Sequence, residues 1–269
     1  MHTMRNERAL AESRAFRVKH IPLLRPLGWL AAGWRDLLRC PVPGLLHGLA
    51  SALFGAVLLW FARDRFWLLA GAFSGFLIVA PLVATGLYNV SRALERGRPA
   101  TLGTALAAWR PDDARLMIFG ALLALAGTGW VLTSAALITG FAGAPVDKPA
   151  DFLRVVVLAP SGYVFELWML LGGVLAAPVF ASSVVALPLL LDRRISVLGA
   201  VLTSWRVVME HPAPMALWAA LLMGLTAIGM ATALIGLILV VPWLAHASWH
   251  AYRDVVDASS LDSLPTRSW

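Results

Sequence analysis

Apolar residues run along this chain in long blocks. They do not alternate as in a half-buried strand, and they do not form the narrow stripe of a soluble helix. Leu116–Ala144 carries no charged residue, and neither does Met215–Ala245. Runs of 18 or more apolar residues predict membrane-spanning helices. Helices and closed barrels are the structures that satisfy backbone polar groups in lipid. Barrel strands would alternate over about ten residues, and these blocks do not. The pattern predicts spans at Leu45–Ala62, Phe66–Leu87, Leu116–Thr139 and Val164–Leu191, the last tilted or kinked at Pro178. The run Met215–Trp249 would measure roughly 52 Å as one helix at 1.5 Å per residue. The hydrocarbon core is only about 30 Å thick. The run is therefore split into two spans by a tight turn between Gly229 and Gly236. The expected fold is an all-α polytopic membrane protein of six transmembrane helices.

Composition agrees with the pattern. Of 269 residues, 59% are hydrophobic and 14% charged, and the mean hydropathy is +0.76. Soluble domains carry about 25% charged residues. Residues 1–20 are polar and the first apolar span starts too late for a cleaved signal peptide. They are expected to form a solvated or interfacial cytoplasmic tail, ahead of a membrane domain at 21–257 and a cytoplasmic tail at 258–269. The lone Cys40 excludes an intramolecular disulfide and fits a small interfacial residue. The net charge of +7 reports orientation before partners. With six spans, the 22 Lys and Arg fall on the side of the termini except for Arg63, Arg65, Lys148 and Arg154. The positive-inside rule then puts both termini in the cytoplasm.

One frame recurs. LGWLAAGWR (27–35), LGTALAAWR (102–110) and LGAVLTSWR (198–206) share Leu-Gly, five residues, Trp-Arg. Each copy lies just before an odd-numbered span. The first and third extend to Pro41/Pro43 and Pro212/Pro214. The even-numbered spans also align: Pro81, Pro188 and Pro242 correspond, as do Arg92 and Arg253. Self-similarity at this level predicts three repeat units, about 27–92, 102–195 and 198–253. Each would be a short cytoplasmic interfacial helix followed by a helical hairpin. The Trp34–Arg35, Trp109–Arg110 and Trp205–Arg206 pairs are read as interfacial anchors, Trp at headgroup depth and Arg against lipid phosphates.

Candidate chemistry is sparse. Four residues past each aligned proline stand Thr85, Asp192 and His246; eight past stand Asn89, Ser196 and His250. These six polar positions share a face. They are expected either to form a polar vestibule open to the cytoplasm or simply to mark helices leaving the membrane. His246 and His250, spaced i, i+4, could hold a metal ion with His47 as a third ligand. The plainer alternative is histidines bonded to backbone or lipid. No catalytic motif is present, neither H-E-x-x-H nor G-x-S-x-G nor a Walker loop nor a dinucleotide fingerprint. No catalytic residue or cofactor is expected.

The stretches IPLLRPLGWLAAGWRDL and ATALIGLILVVPWLAHASWHAYRDVV resemble an uncharacterised family of proteobacterial integral membrane proteins, a domain of unknown function. The resemblance covers roughly 20–257, with HASWHAYRD its most specific part. It implies a bacterial inner-membrane location and marks His246, His250, Tyr252, Arg253 and Asp254 as signature positions without a stated role. The sequence thus predicts a scaffold, accessory subunit or small transporter-like protein. Membrane lipids and other inner-membrane proteins are its expected partners, with no nucleic acid. The alternative is a metal- or haem-binding membrane protein using the histidines.

Overall fold

A computed structural model describes residues 2–62, 64–72, 83–109, 114–159 and 162–257, with only the backbone at 2–5 and 109. Its elements, in chain order, begin with α1 (His2–Arg14), β1 (Arg17–Val18), α2 (Arg25–Arg39) and α3 (Pro41–Ala62). There follow α4 (Thr85–Glu95), α5 (Leu102–Leu106), α6 (Ala114–Phe141), α7 (Pro149–Phe152) and α8 (Val164–Ser183). The chain continues through α9 (Ala186–Asp192), α10 (Val197–Glu210), α11 (Pro212–Ala231), α12 (Leu237–Val255) and β2 (Val256–Asp257). Among the described residues four helices are long and apolar enough to cross a membrane: Pro41–Ala62, Ala114–Phe141, Val164–Asp192 and Pro212–Ala231. The expected span Phe66–Leu87 is helical at 66–72, but 73–82 lie outside the described residues.

All three Leu-Gly frames are helical, in α2, in α5 with the 3-10 turn that follows it, and in α10. Each precedes a long apolar helix. Local chemistry starts them differently. Pro26 opens α2 with the φ a first turn needs. The Thr101 side chain caps α5 by accepting from the Thr104 N–H, and Ser196 caps α10 by accepting from Gly199.

The long run from Met215 divides where expected. Helix α11 ends at Ala231 and α12 starts at Leu237. Between them Ala233 and Leu234 hold positive φ values of 52° and 69°, a conformation L-residues adopt at a cost. The expected kink at Pro178 is not where the fourth apolar segment breaks. Helical structure continues through Pro178, and the interruption falls at residues 184–185. The cause is Pro188, whose ring excludes the carbonyl four residues earlier, that of Val184.

The chain forms two compact units: Met1–Ala52 with Pro81–Phe119 and Phe180–Trp269, and Leu53–Ala80 with Gly120–Val179. In the smaller unit Phe66, Ile138, Val146 and Val156 make the core. Phe66 stacks on Phe152 at 5.2 Å, and the Trp168 indole donates to Ser134 at 2.6 Å.

In the larger unit α12 is central, in contact with α2, α4, α9 and α11. Glycines admit it closely. A Cβ on Gly33 would lie 2.5 Å from the Ala247 backbone nitrogen, and one on Gly48 would sit 2.6 Å from the Ile238 carbonyl carbon. Gly44 and Gly48 form a small-xxx-small pair of the kind that packs membrane helices. The N-terminal segment is not a solvated tail. Ala9 and Phe16 are buried, α1 packs on α10, and Arg206 donates to the Ser13 and Phe16 carbonyls at 2.7 and 2.6 Å. Strands β1 and β2 pair antiparallel, Arg17 opposite Asp257.

Candidate functional site

The polar residues of the larger unit gather in two clusters on α12. The first surrounds Asp192, the last residue of α9, which is 2% exposed. Its Oδ1 lies 2.9 Å from the Nε of Arg92 in α4 and 3.2 Å from the Nη2 of Arg96, the residue that follows α4. Its Oδ2 accepts from the neighbouring Arg193 at 3.1 Å and from the Tyr252 hydroxyl at 2.9 Å. Arg92 is itself only 1% exposed. Burial pushes its guanidinium down to about 10, with Asp192 opposing that shift, so it stays charged at neutral pH. Beside this pair, Glu95 accepts from the Trp249 indole at 3.0 Å and from Arg253 at 2.9 Å.

The second cluster is a hydrogen-bonded chain. Asp36 of α2 is buried, and its Oδ2 lies 2.7 Å from the Nε2 of His250. Ser91 bonds the same carboxylate, and the Ser91 Oγ lies 2.7 Å from the His246 Nδ1. Burial pushes the Asp36 carboxyl up, but the bonds from His250 and Ser91 and the nearby imidazoles outweigh it and hold the group below its usual range. The carboxylate can only accept, so the Ser91 hydroxyl is the donor in that bond. The other ring nitrogen of His246 is Nε2. It is buried without a hydrogen-bond partner among the described residues. His47 lies at 2.8 Å from the Pro43 carbonyl through its Nδ1.

These contacts place the six residues expected to line a vestibule. Thr85, Asn89, Asp192 and His246 are buried; Ser196 and His250 are half-buried. Asn89 donates to the Thr104 carbonyl at 2.7 Å, and the Ser196 hydroxyl donates to Glu12. Asn89, Asp192, Ser196, His246 and His250 each bond a residue of another element, as struts across the unit. Among the described residues no group of three or more His, Cys, Asp or Glu could hold a metal ion.

The anchor residues diverge. Trp34 is 38% exposed and meets Trp243 edge to face at 5.3 Å, and Arg35 is exposed. Trp205 donates to Ser182 at 2.9 Å, while Arg206 grips the end of α1. The Trp109 side chain and Arg110 lie outside the described residues. Sequence reading missed Asp36, Ser91, Glu95 and Arg96, which stand in no motif and meet their partners only through the fold. Their one sequence signal is alignment: Arg92 and Arg253, matched in the repeat, both reach the Asp192–Glu95 cluster.

A family model described as "Predicted integral membrane protein (DUF2189)" matches residues 68–192, a little under half of the chain. The match takes in Ser91, Arg92 and Asp192 but not the HASWHAYRD stretch. No curated protein and no solved structure matches the chain. The family match and the four long apolar helices agree: the chain is an integral membrane protein.

Proposed function

We propose that this is a six-span protein of a bacterial inner membrane, with both termini cytoplasmic, that serves as a non-enzymatic scaffold or accessory subunit. The observation that carries this reading is the buried cluster around Asp192, which joins residues of several helices. Asp192 is partnered by Arg92 of α4, by Arg96 just past it, by the adjacent Arg193 and by Tyr252 of α12. Such a constellation locks helices together. The three helical frames, each leading into a long apolar helix, support three repeat units at about 27–92, 102–195 and 198–253. The lateral surface supports the accessory role. Only 22% of the apolar window in α11 and 28% of that in α6 is buried within the chain. The rest faces lipid or the helices of a partner.

Photo-crosslinking in native membranes tests this. A photoreactive residue at Met223, 66% exposed on α11, is expected to give one discrete protein adduct. Lipid adducts alone would overturn the scaffold reading. So would stoichiometric metal or a Soret band in the purified protein.

A further inference from the structure

Helix α2 carries three stripes. Pro26, Trp29, Leu30, Gly33, Asp36 and Leu37 are buried against the unit. Leu27, Trp34 and Leu38 form an exposed apolar stripe, at 49%, 38% and 63% exposure. The third stripe, adjoining the apolar one through Ala31, forms one wall of an open groove of about 380 Å³ whose other wall is the end of α12. The groove has a smooth floor at Gly28 and Ala32, and Arg25, Arg35, His250 and Arg253 surround it. One carboxylate, Asp254, faces three guanidiniums there. Arg25 takes Asp254 with two nitrogens, and Arg253 turns to Glu95. Arg35 is exposed and makes no hydrogen bond or ion pair among the described residues. The groove therefore holds a net positive charge and one uncommitted guanidinium, beside apolar side chains presented outward.

We propose that this groove binds the phosphate headgroup of an anionic membrane phospholipid, whose acyl chains lie along Leu27, Trp34 and Leu38. Arginine is suited to phosphate because its planar fork offers two parallel donors. The excess positive charge selects a net anionic headgroup over a zwitterionic one. The neighbouring apolar stripe selects a lipid over a soluble phosphate, since burying acyl surface adds about 25 cal/mol per Å². The idea rests on the reading of α2 as an interfacial helix. It does not depend on the number of spans, so topology and lipid binding fail separately.

The test uses the full chain, delipidated in a neutral detergent. Binding is read by native mass spectrometry and by the unfolding midpoint as phosphatidylglycerol, phosphatidylcholine or sodium phosphate is added. Phosphatidylglycerol is expected to give a one-lipid adduct and a raised midpoint, and the other two are not. Arg35→Gln removes the uncommitted donor, and Gly28→Leu fills a floor where an added Cβ meets nothing within 4 Å. Without lipid, Arg35→Gln is expected to unfold like the wild type and Gly28→Leu at or slightly above it; both are expected to bind phosphatidylglycerol about tenfold more weakly, the first by losing one charge-assisted bond and the second by filling the groove. Equal binding of phosphatidylglycerol and phosphatidylcholine would overturn the proposal. So would wild-type affinity in both variants, or a full midpoint shift from sodium phosphate alone.

Discussion

Asp192 is the residue on which most of the polar interior of the larger unit depends. A buried ion pair adds little net stability over an apolar pair, but removing one partner strands the other charge. Asp192→Asn leaves Arg92 charged at 1% exposure. It is expected to cost about 3–5 kcal/mol, read as a lower unfolding midpoint in detergent. Tyr252→Phe removes one of several bonds to the same carboxylate and should cost about 1–2 kcal/mol. A midpoint unchanged in both variants would contradict the strut reading. Asp36 makes a separate prediction in pH. Its carboxyl lies below the usual range in the folded chain. Its contribution is complete above the unfolded value near 4 and is lost as pH falls through the folded value. The stability gap between wild type and Asp36→Asn should therefore hold from neutral pH down to about 4 and close below it. A gap that stays constant down to pH 3 would show that the His250 and Ser91 bonds do not favour the ionised form. Neither residue was legible beforehand in its role. Asp192 stood out as one polar position of an aligned set, and Asp36 as nothing at all. Its partners lie far away in the chain, at positions 91 and 250, so no local spacing announces them.

At the scale of elements, helix boundaries follow from punctuation the chain spells out. The turn between Gly229 and Gly236 was legible because one helix there would overrun the bilayer. The break ahead of Pro188 was legible only as a proline whose effect falls four residues upstream. The packing of α3 on α12 was spelled out in Gly44 and Gly48, yet glycines in an apolar run look like any small residues until a partner is known. The partner is a carbonyl. Pro242 has no N–H to offer Ile238, and the Ile238 backbone comes to rest on Gly48. A methyl at Gly48 would collide with that backbone, which cannot swing aside as a side chain could. Gly48→Ala is expected to cost at least 1–3 kcal/mol, in the range of an overpacked core. Gly28→Ala meets open space and should gain up to about 1 kcal/mol from helix propensity. Equal midpoints for the two variants would argue against close contact between α3 and α12.

At the scale of the whole molecule the open question is parity, whether the spans are even or odd in number. Charge distribution barely bears on it, because the last tail holds only two basic residues, Arg253 and Arg267. Contacts between the two ends of the larger unit bear on it directly. Arg17 pairs with Asp257 across the β1–β2 ladder, Arg25 holds Asp254, and Asp36 holds His250. These are polar side chains and a short backbone ladder beside α2 and the end of α12, and such groups do not meet across a hydrocarbon core. These contacts support the proposed arrangement, with both ends on one face of the membrane. With α12 about 28 Å long at 1.5 Å per residue, close to the thickness of that core, the helix suffices as the returning span. It was not among the long apolar helices because the half that follows Pro242 carries the polar struts to α2, α4 and α9. A reporter fused after residue 257 should read cytoplasmic, and one in the loop 142–163 should read periplasmic. A periplasmic signal at 257 would require the ladder and both ion pairs to break. Charge reversal offers the finer check: Arg25→Asp should destabilise the protein, and the double variant Arg25→Asp with Asp254→Arg should restore it. Restoration would place the first interfacial helix and the last residues of α12 on the same face, whatever the count of spans between them.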